Sequence, residues 1–420
     1  MEKKVYNSVD ETLYTYTHKS GAKIYMVPKK GLSKSAAYFS THFGSIDNCF
    51  IPFGEKEYIS VPDGVAHFLE HKMFEMPDNS NVFDMFSNFG ASANAYTSFN
   101  MTSYHFWCTD YFKENLKTLI NFVQTPHFTD ENVAKEQGII GQEIRMYDDE
   151  PSWRCYFNML SCMYEKNPVS RDIAGTIESI SEITKDTLYK CYNTFYHPSN
   201  MTLCLVGDFD HEDMADYLTS VLKPLDNKDT IKRKSESDGN NVICREKTAN
   251  MSVSRPMYAI GFKDNNVGTD ILKRRVAAKI ALNLLIGKSS ALYNELYAEG
   301  NISPEFGFDY TGEEKYAFTE IADECNDPAY IAEKIKSAIN NFKVSDDDFE
   351  RIRRKLFGKK LYAFNDPDNY AGALARHTTL GLDMYEMFDL FKTVTKADVE
   401  NVFETHLREE NMVISIINPI

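Results

Sequence analysis

The chain of 420 residues is short of several features that define whole classes of protein. It has nothing approaching the roughly 18 consecutive apolar residues of a membrane-spanning helix, so no membrane association is expected. The opening MEKKVYNSVDE carries no apolar segment behind its lysines, so a secretory leader is not expected either. Positive charge is in deficit, with 46 lysines and arginines against 62 acidic residues and a formal net charge of −16. Such a balance does not neutralise phosphates, which argues against general nucleic-acid binding. The eight cysteines are dispersed, with no CxxC pair and no dense framework. That is the usage of free thiols in a reducing compartment, and a cytoplasmic protein is expected. What remains is ordinary globular composition, 43% hydrophobic and 26% charged, with length for two or more domains.

The chain repeats itself. ITKDTLYKCYNTFYHPSNMTLCLVGDF (183–209) aligns without gaps on VTKADVENVFETHLREENMVISIINPI (394–420), an offset of 211 residues, half the chain length. Thr184 matches Thr395, Lys185 matches Lys396, and Asn200-Met201 matches Asn411-Met412. Each copy reads as a Thr N-cap, an amphipathic helix, a turn and a β-rich strand. Residues 224–246 are polar and charge-dense, with Pro and Gly-Asn-Asn breakers, and read as a linker. The expected domains are 1–223 and 247–420. Strands grouped with helices, without regular βαβ alternation, predict an α+β fold of two homologous domains, each an antiparallel sheet packed with helices.

The sharpest local pattern is His67-Phe68-Leu69-Glu70-His71, within GVAHFLEHKMFE. On a helix, positions i and i+4 share a face, so both imidazoles can address one ion, and Glu70 lies at the edge of that face. This is the inverted H-x-x-E-H order of a zinc peptidase. A catalytic zinc takes a third protein ligand and leaves a fourth position for water. Glu136 and Glu143, two helical turns apart, are the candidates: one carboxylate can ligate while the other supports. ASANAYTSF, flanked by Gly90 and Asn100, reads as an edge strand able to accept an extended peptide, or else as a core hairpin strand. The basic run RIRRKLFGKK (351–360) reads as a solvated helix face or a chamber lining.

HFLEH followed about seventy residues later by E-x6-E resembles the pitrilysin/insulinase/mitochondrial-processing-peptidase superfamily of zinc metallopeptidases, and so do FGASANAYTSFNMTSY (89–104), FYHPSNMTLCLVGDF (195–209) and the duplication. The resemblance covers essentially the whole chain and extends to the short, two-domain, YmfH-like bacterial members. It implies one Zn2+ per chain held by His67, His71 and Glu143, with Glu70 as general base and Glu136 as supporting carboxylate. It further implies that Asn94 and Ala95 belong to the strand that pairs with a peptide substrate, and that Phe74 and Tyr96 line side-chain pockets beside the metal. The implied activity is peptide-bond hydrolysis by a metalloendopeptidase.

The second half departs from the pattern. AAKIALNLLIGKSSALYNELYAEG (277–300) offers no histidine, and no arginine occurs between Arg275 and Arg351, where active members of the family carry an Arg and a Tyr. The second domain is therefore expected to be a degenerate copy. In the family two such units close around the substrate. The expectation is a heterodimer in which a paralogous partner without HxxEH supplies the Arg and Tyr. A homodimer would leave both sites without them. The alternative reading is a non-proteolytic scaffold subunit that retains a zinc site.

Overall fold

The computed structural model describes all residues except Asn79, 225–229 and Thr269. The described residues form two compact units, and neither is a contiguous half of the chain. The first comprises Met1–Ile144, Asp172–Ser235 and Lys360–Tyr385; the second comprises Arg145–Arg171, Glu236–Lys359 and Glu386–Ile420.

The first unit contains β1 (Glu2–Tyr6), β2 (Glu11–Thr17), β3 (Lys23–Pro28), β4 (Ser35–Thr41), the short β5 (Cys49–Ile51) and β6 (Ile59–Ser60), β7 (Ser92–Thr97), β8 (Thr102–Cys108), β9 (Met201–Gly207) and the short β10 (Lys232–Arg233). The main sheet has the order β1-β2-β3-β9-β4-β8-β7, and β10, β5 and β6 form a small second sheet. The second unit contains β11 (Glu246–Met251), β12 (Met257–Lys263), β13 (Gly307–Gly312), β14 (Ala317–Glu324) and β15 (Met412–Pro419), in the order β11-β15-β12-β14-β13. Burial explains the order. β4 (SAAYFST) and β9 (MTLCLVG) are buried at every position, as central strands covered on both faces must be, whereas β7 at the sheet edge is partly exposed throughout.

The two units share one plan. β9 runs parallel to β3 and antiparallel to β4; β15 runs parallel to β11 and antiparallel to β12. Each sheet is thus antiparallel except for one parallel pair, closed by the repeated helix and strand. Thr184 and Thr395 each cap their helix by accepting the amide three residues on, at 3.2 Å in both copies. Asn200 Nδ2 donates to the Phe195 carbonyl at 2.8 Å, and Asn411 Nδ2 donates to the matching His406 carbonyl at 2.9 Å. The duplication read in the sequence is therefore a duplication of structure.

The segments that cross between the halves are helices. Pro367–Thr379 packs on β4 and β9 of the first unit, with Tyr38 Oη donating to Asp368 Oδ1 at 3.0 Å. Pro151–Met163 packs on β12 and β15 of the second, with the Cys155 thiol 3.5 Å from the Ser415 carbonyl. Both crossings rely on glycine for close approach. A Cβ on Gly372 would sit 3.0 Å from the Tyr38 hydroxyl, and one on Gly261 would sit 2.8 Å from Met159 Cγ. The expected division at 224–246 therefore differs from the observed one: each half lends a helix to the other's sheet. Residues 225–229 of the expected linker lie outside the described residues. The rest of it is tied down, with Arg233 Nε 2.9 Å from Asp47 and Asp238 accepting amides of Glu165, Lys166 and Asn167, each at 2.9 Å.

The copies diverge where Phe195 of the first unit, stacked on Phe43 at 4.1 Å, is matched by His406 of the second. His406 is fully buried; its Nε2 lies 2.8 Å from Thr319 Oγ1, and Asp264 and Arg274 are nearby. Burial, only partly offset by Asp264, pushes its pKa down from 6.5 to about 4. The unfolded chain then binds a proton that the folded unit refuses. Stability should fall as the pH drops from about 6.5 towards 4, by up to roughly 3 kcal/mol. His406→Phe should flatten that slope, as measured by the urea midpoint at pH 7 and at pH 4.5; an unchanged slope would refute the assignment.

Candidate metal centre

The centre is built on an eight-residue helix, α1 (Val65–Lys72). Gly64 begins it in the left-handed region, φ 90°, and a Cβ there would lie 2.3 Å from the Ala174 carbonyl oxygen. Only glycine meets both conditions. Beyond α1 follow α2 (Val82–Ser87), α3 (Phe112–Val123) and α4 (Asp130–Asp148), and α1 packs on β7 and β8.

The i, i+4 spacing places the His67 and His71 rings side by side, their centroids 4.6 Å apart. Glu143 reaches them from α4, with Oε1 3.7 Å from His67 Nε2 and Oε2 3.4 Å from His71 Nε2. One donor atom from each of the three residues lies within 4.8 Å of the others. Two imidazole nitrogens and a carboxylate oxygen are a donor set that suits zinc and leaves room for a fourth ligand. The residues present therefore fit a zinc ion.

The surrounding groups tune these donors. Glu136 Oε1 lies 3.1 Å from His71 Nδ1, a carboxylate–histidine pair that leaves Nε2 facing Glu143. Burial disfavours a charge on His71, but the Glu136 contact and the neighbouring carboxylates overcome it and move the ring's pKa up from its ordinary value. His67 differs: burial and the charge of His71 push it down to about 4, and its Nδ1 has no protein hydrogen-bond partner. Glu70 is buried, and Thr97 Oγ1 donates to its Oε2 at 2.6 Å. Burial raises the Glu70 pKa above its ordinary value, with the Thr97 hydrogen bond working against the rise. A carboxyl group moved that way is better matched to taking and returning a proton near neutrality.

Three of the expected substrate residues, Asn94, Ala95 and Tyr96, divide between the two faces of one strand. β7 is the last strand of the main sheet, with Asn94 opposite His105, Ala95 opposite Tyr104, Tyr96 opposite Ser103 and Thr97 opposite Thr102. Asn94 is exposed and Ala95 is partly so. Thr97 turns to Glu70, and Ala95 shares its face. Tyr96 does not. It points to the face carrying His105, 6.1 Å away between ring centroids, and interacts with Arg376. The expectation that Tyr96 lines a pocket beside the metal is corrected by strand alternation: neighbours of Thr97 face the other way. Phe74 stacks on Phe83 at 4.7 Å and Phe122 at 5.3 Å, so it belongs to the aromatic packing after α1. Two further residues emerge only here, Thr97 and Lys72. For Thr97 the two-residue period from Ala95 was the available signal; Lys72 had only its adjacency to His71.

Comparison with known proteins places the chain in a family. Residues 55–177 match the insulinase family (peptidase family M16), and residues 182–356 match the peptidase M16 inactive domain. The chain is 42% identical to the uncharacterized zinc protease YmfH of Bacillus subtilis (strain 168), over 99% of this chain and 98% of that protein. The chain belongs to peptidase family M16. Among solved structures, an M16-like peptidase from Alicyclobacillus acidocaldarius is 34% identical, with a TM-score of 0.93 over 97% of this chain and 98% of its own. A protease from Helicobacter pylori shares the fold at 18% identity, with a TM-score of 0.84 over 97% of this chain and 100% of its own. These two structures match this M16 chain over nearly all of its residues, and no helix among its described residues is long and apolar enough to cross a membrane.

The start of α1 yields a structural test. Gly64→Ala should cost roughly 1–3 kcal/mol from backbone strain, and more from the collision with the Ala174 carbonyl. Urea unfolding would measure it, and a variant as stable as the parent would show that α1 does not need its glycine.

Proposed function

We propose that this chain is a zinc-dependent endopeptidase that hydrolyses peptides or flexible segments, and that it acts as the catalytic subunit of a heterodimer. The observation that carries the enzymatic reading is the convergence of His67, His71 and Glu143 beside a buried Glu70 that is itself held by Thr97. A bound zinc ion would polarise the scissile carbonyl and make a water molecule acidic enough to attack at neutral pH. Glu70 accepts the proton from that water and returns it to the departing amine nitrogen. Thr97 occupies Glu70 Oε2, which fixes the carboxylate plane and presents Oε1 for the proton. Glu136 keeps the proton of His71 on Nδ1 and so commits Nε2 to the ligand side. The free edge of β7, through Asn94 and Ala95, takes an extended peptide by strand addition.

Glu70→Gln should abolish cleavage while zinc stays bound. His67→Ala and Glu143→Gln should each lower zinc stoichiometry, whereas Glu136→Gln should lower turnover with zinc largely retained. Metal analysis and a peptide-cleavage assay on the same preparations distinguish this reading from a zinc-containing scaffold subunit. Full activity in Glu70→Gln would remove the general base; full zinc in both ligand variants would remove the ligand set.

The heterodimer rests on what the second half lacks. The helix Ile271–Ile286 is largely buried, with no histidine, and no arginine lies between Arg275 and Arg351. A partner of similar length, without HxxEH, would supply Arg and Tyr to the oxyanion, a contribution of about 3–4 kcal/mol for each donor. Cleavage should therefore be weak for the purified chain and rise strongly on adding the partner. Strong hydrolysis by the chain alone, blocked by zinc chelation, would end the heterodimer reading.

A further inference from the structure

Lys72 follows the second histidine of the motif and carries its charge into the interior: its side chain is 0% exposed. Burying an ammonium costs several kcal/mol unless its protons are met, and a methionine could fill the same volume without that cost. Its Nζ lies 2.6 Å from Glu75 Oε2, 3.2 Å from the Asn132 carbonyl and 3.7 Å from Glu136 Oε2. Three acceptors thus face the three donors of one ammonium. Two of those acceptors belong to α4, the helix that carries Glu143, while Lys72 itself ends α1, the helix that carries both histidines.

The contact with Glu136 has a direction. One carboxylate oxygen, Oε2, faces Lys72, and the other, Oε1, meets His71 Nδ1 at 3.1 Å. A carboxylate held at both ends cannot rotate freely about its terminal bond. His71 Nε2 in turn stands 3.4 Å from Glu143. No comparable relay serves His67, whose Nδ1 has no protein partner, so orientation of the histidine pair falls to the His71 side. We propose that Lys72 is a positioning residue of the metal centre: its buried ammonium ties α1 to α4 and fixes the Glu136 carboxylate, which holds the His71 ring with Nε2 toward Glu143. This deepens the zinc reading above and depends on it.

The test is zinc affinity, measured by competition with a chromophoric chelator on protein whose folding is checked by circular dichroism and thermal melting. Lys72→Met should weaken zinc binding about 10–100-fold, the size of effect typical of supporting residues around a metal. Lys72→Gln keeps a donor for the Asn132 carbonyl but removes the charge, and it should weaken binding in the same way. Glu136→Gln should itself weaken binding by a similar factor while the site still fills when zinc is in excess, and adding either Lys72 substitution to it should weaken binding no further, because both act through that carboxylate. A purely structural lysine would lower the melting temperature without changing zinc affinity, and a folded Lys72→Met that binds zinc like the parent would overturn the proposal. Additive losses in the double variant would overturn the route through Glu136. If neither Lys72 variant folds, Lys72 is a folding residue and the proposal fails. A parent chain that binds no zinc would overturn this proposal together with the reading beneath it.

Discussion

Glu143 meets His67 and His71 from a different helix, so the centre exists only as well as α1 is held against α4. α1 is eight residues long, too short to be stable alone, and must borrow order from its surroundings. A left-handed glycine and a close carbonyl set its beginning; the buried ammonium of Lys72 and its acceptors set its end. On the sheet side, Thr97 reaches Glu70 from β7, so the strand that borders the site also orients its carboxylate. Glu70 and His71 are therefore held from outside α1, by Thr97 and Glu136.

The duplicated plan shows what the centre required beyond a common scaffold. Both units carry the same five-strand core order, the same Thr cap and the same Asn clamp. In the first unit α1 brings histidines to the edge of β7. The helix Ile271–Ile286 packs on β13, the matching edge strand, yet it is buried through Val276, Ile280 and Leu284. Its polar residues are spent on ion pairs such as Arg274 with Asp264 at 2.9 Å and Arg275 with Glu313 at 2.6 Å. The same architecture thus carries a candidate metal site in one copy and packing in the other.

The family and the candidate metal cluster were legible in this chain because both show in short-range periodicity. Two histidines four apart and two glutamates seven apart share helix faces whatever the tertiary structure, and the repeat at an offset of 211 residues is a property of the string itself. The α+β class, the paired domains and the donor set follow from such local rules. The helix exchange did not: Pro151–Met163 and Pro367–Thr379 are ordinary amphipathic helices with Pro at the first turn, and nothing local says which sheet each will cover. That is decided by long-range packing, which Gly261 permits by leaving room for Met159 and Gly372 by leaving room for Tyr38. Tyr96 was misplaced because an edge strand offers two faces, and the side facing α1 is set by Thr97 meeting Glu70, a contact across 27 residues. Lys72 was silent for the same reason. A lysine after a histidine reads as solvated until a second helix closes over it, and the cost of burying its charge is offset only by carboxylates and a carbonyl that the fold assembles around it.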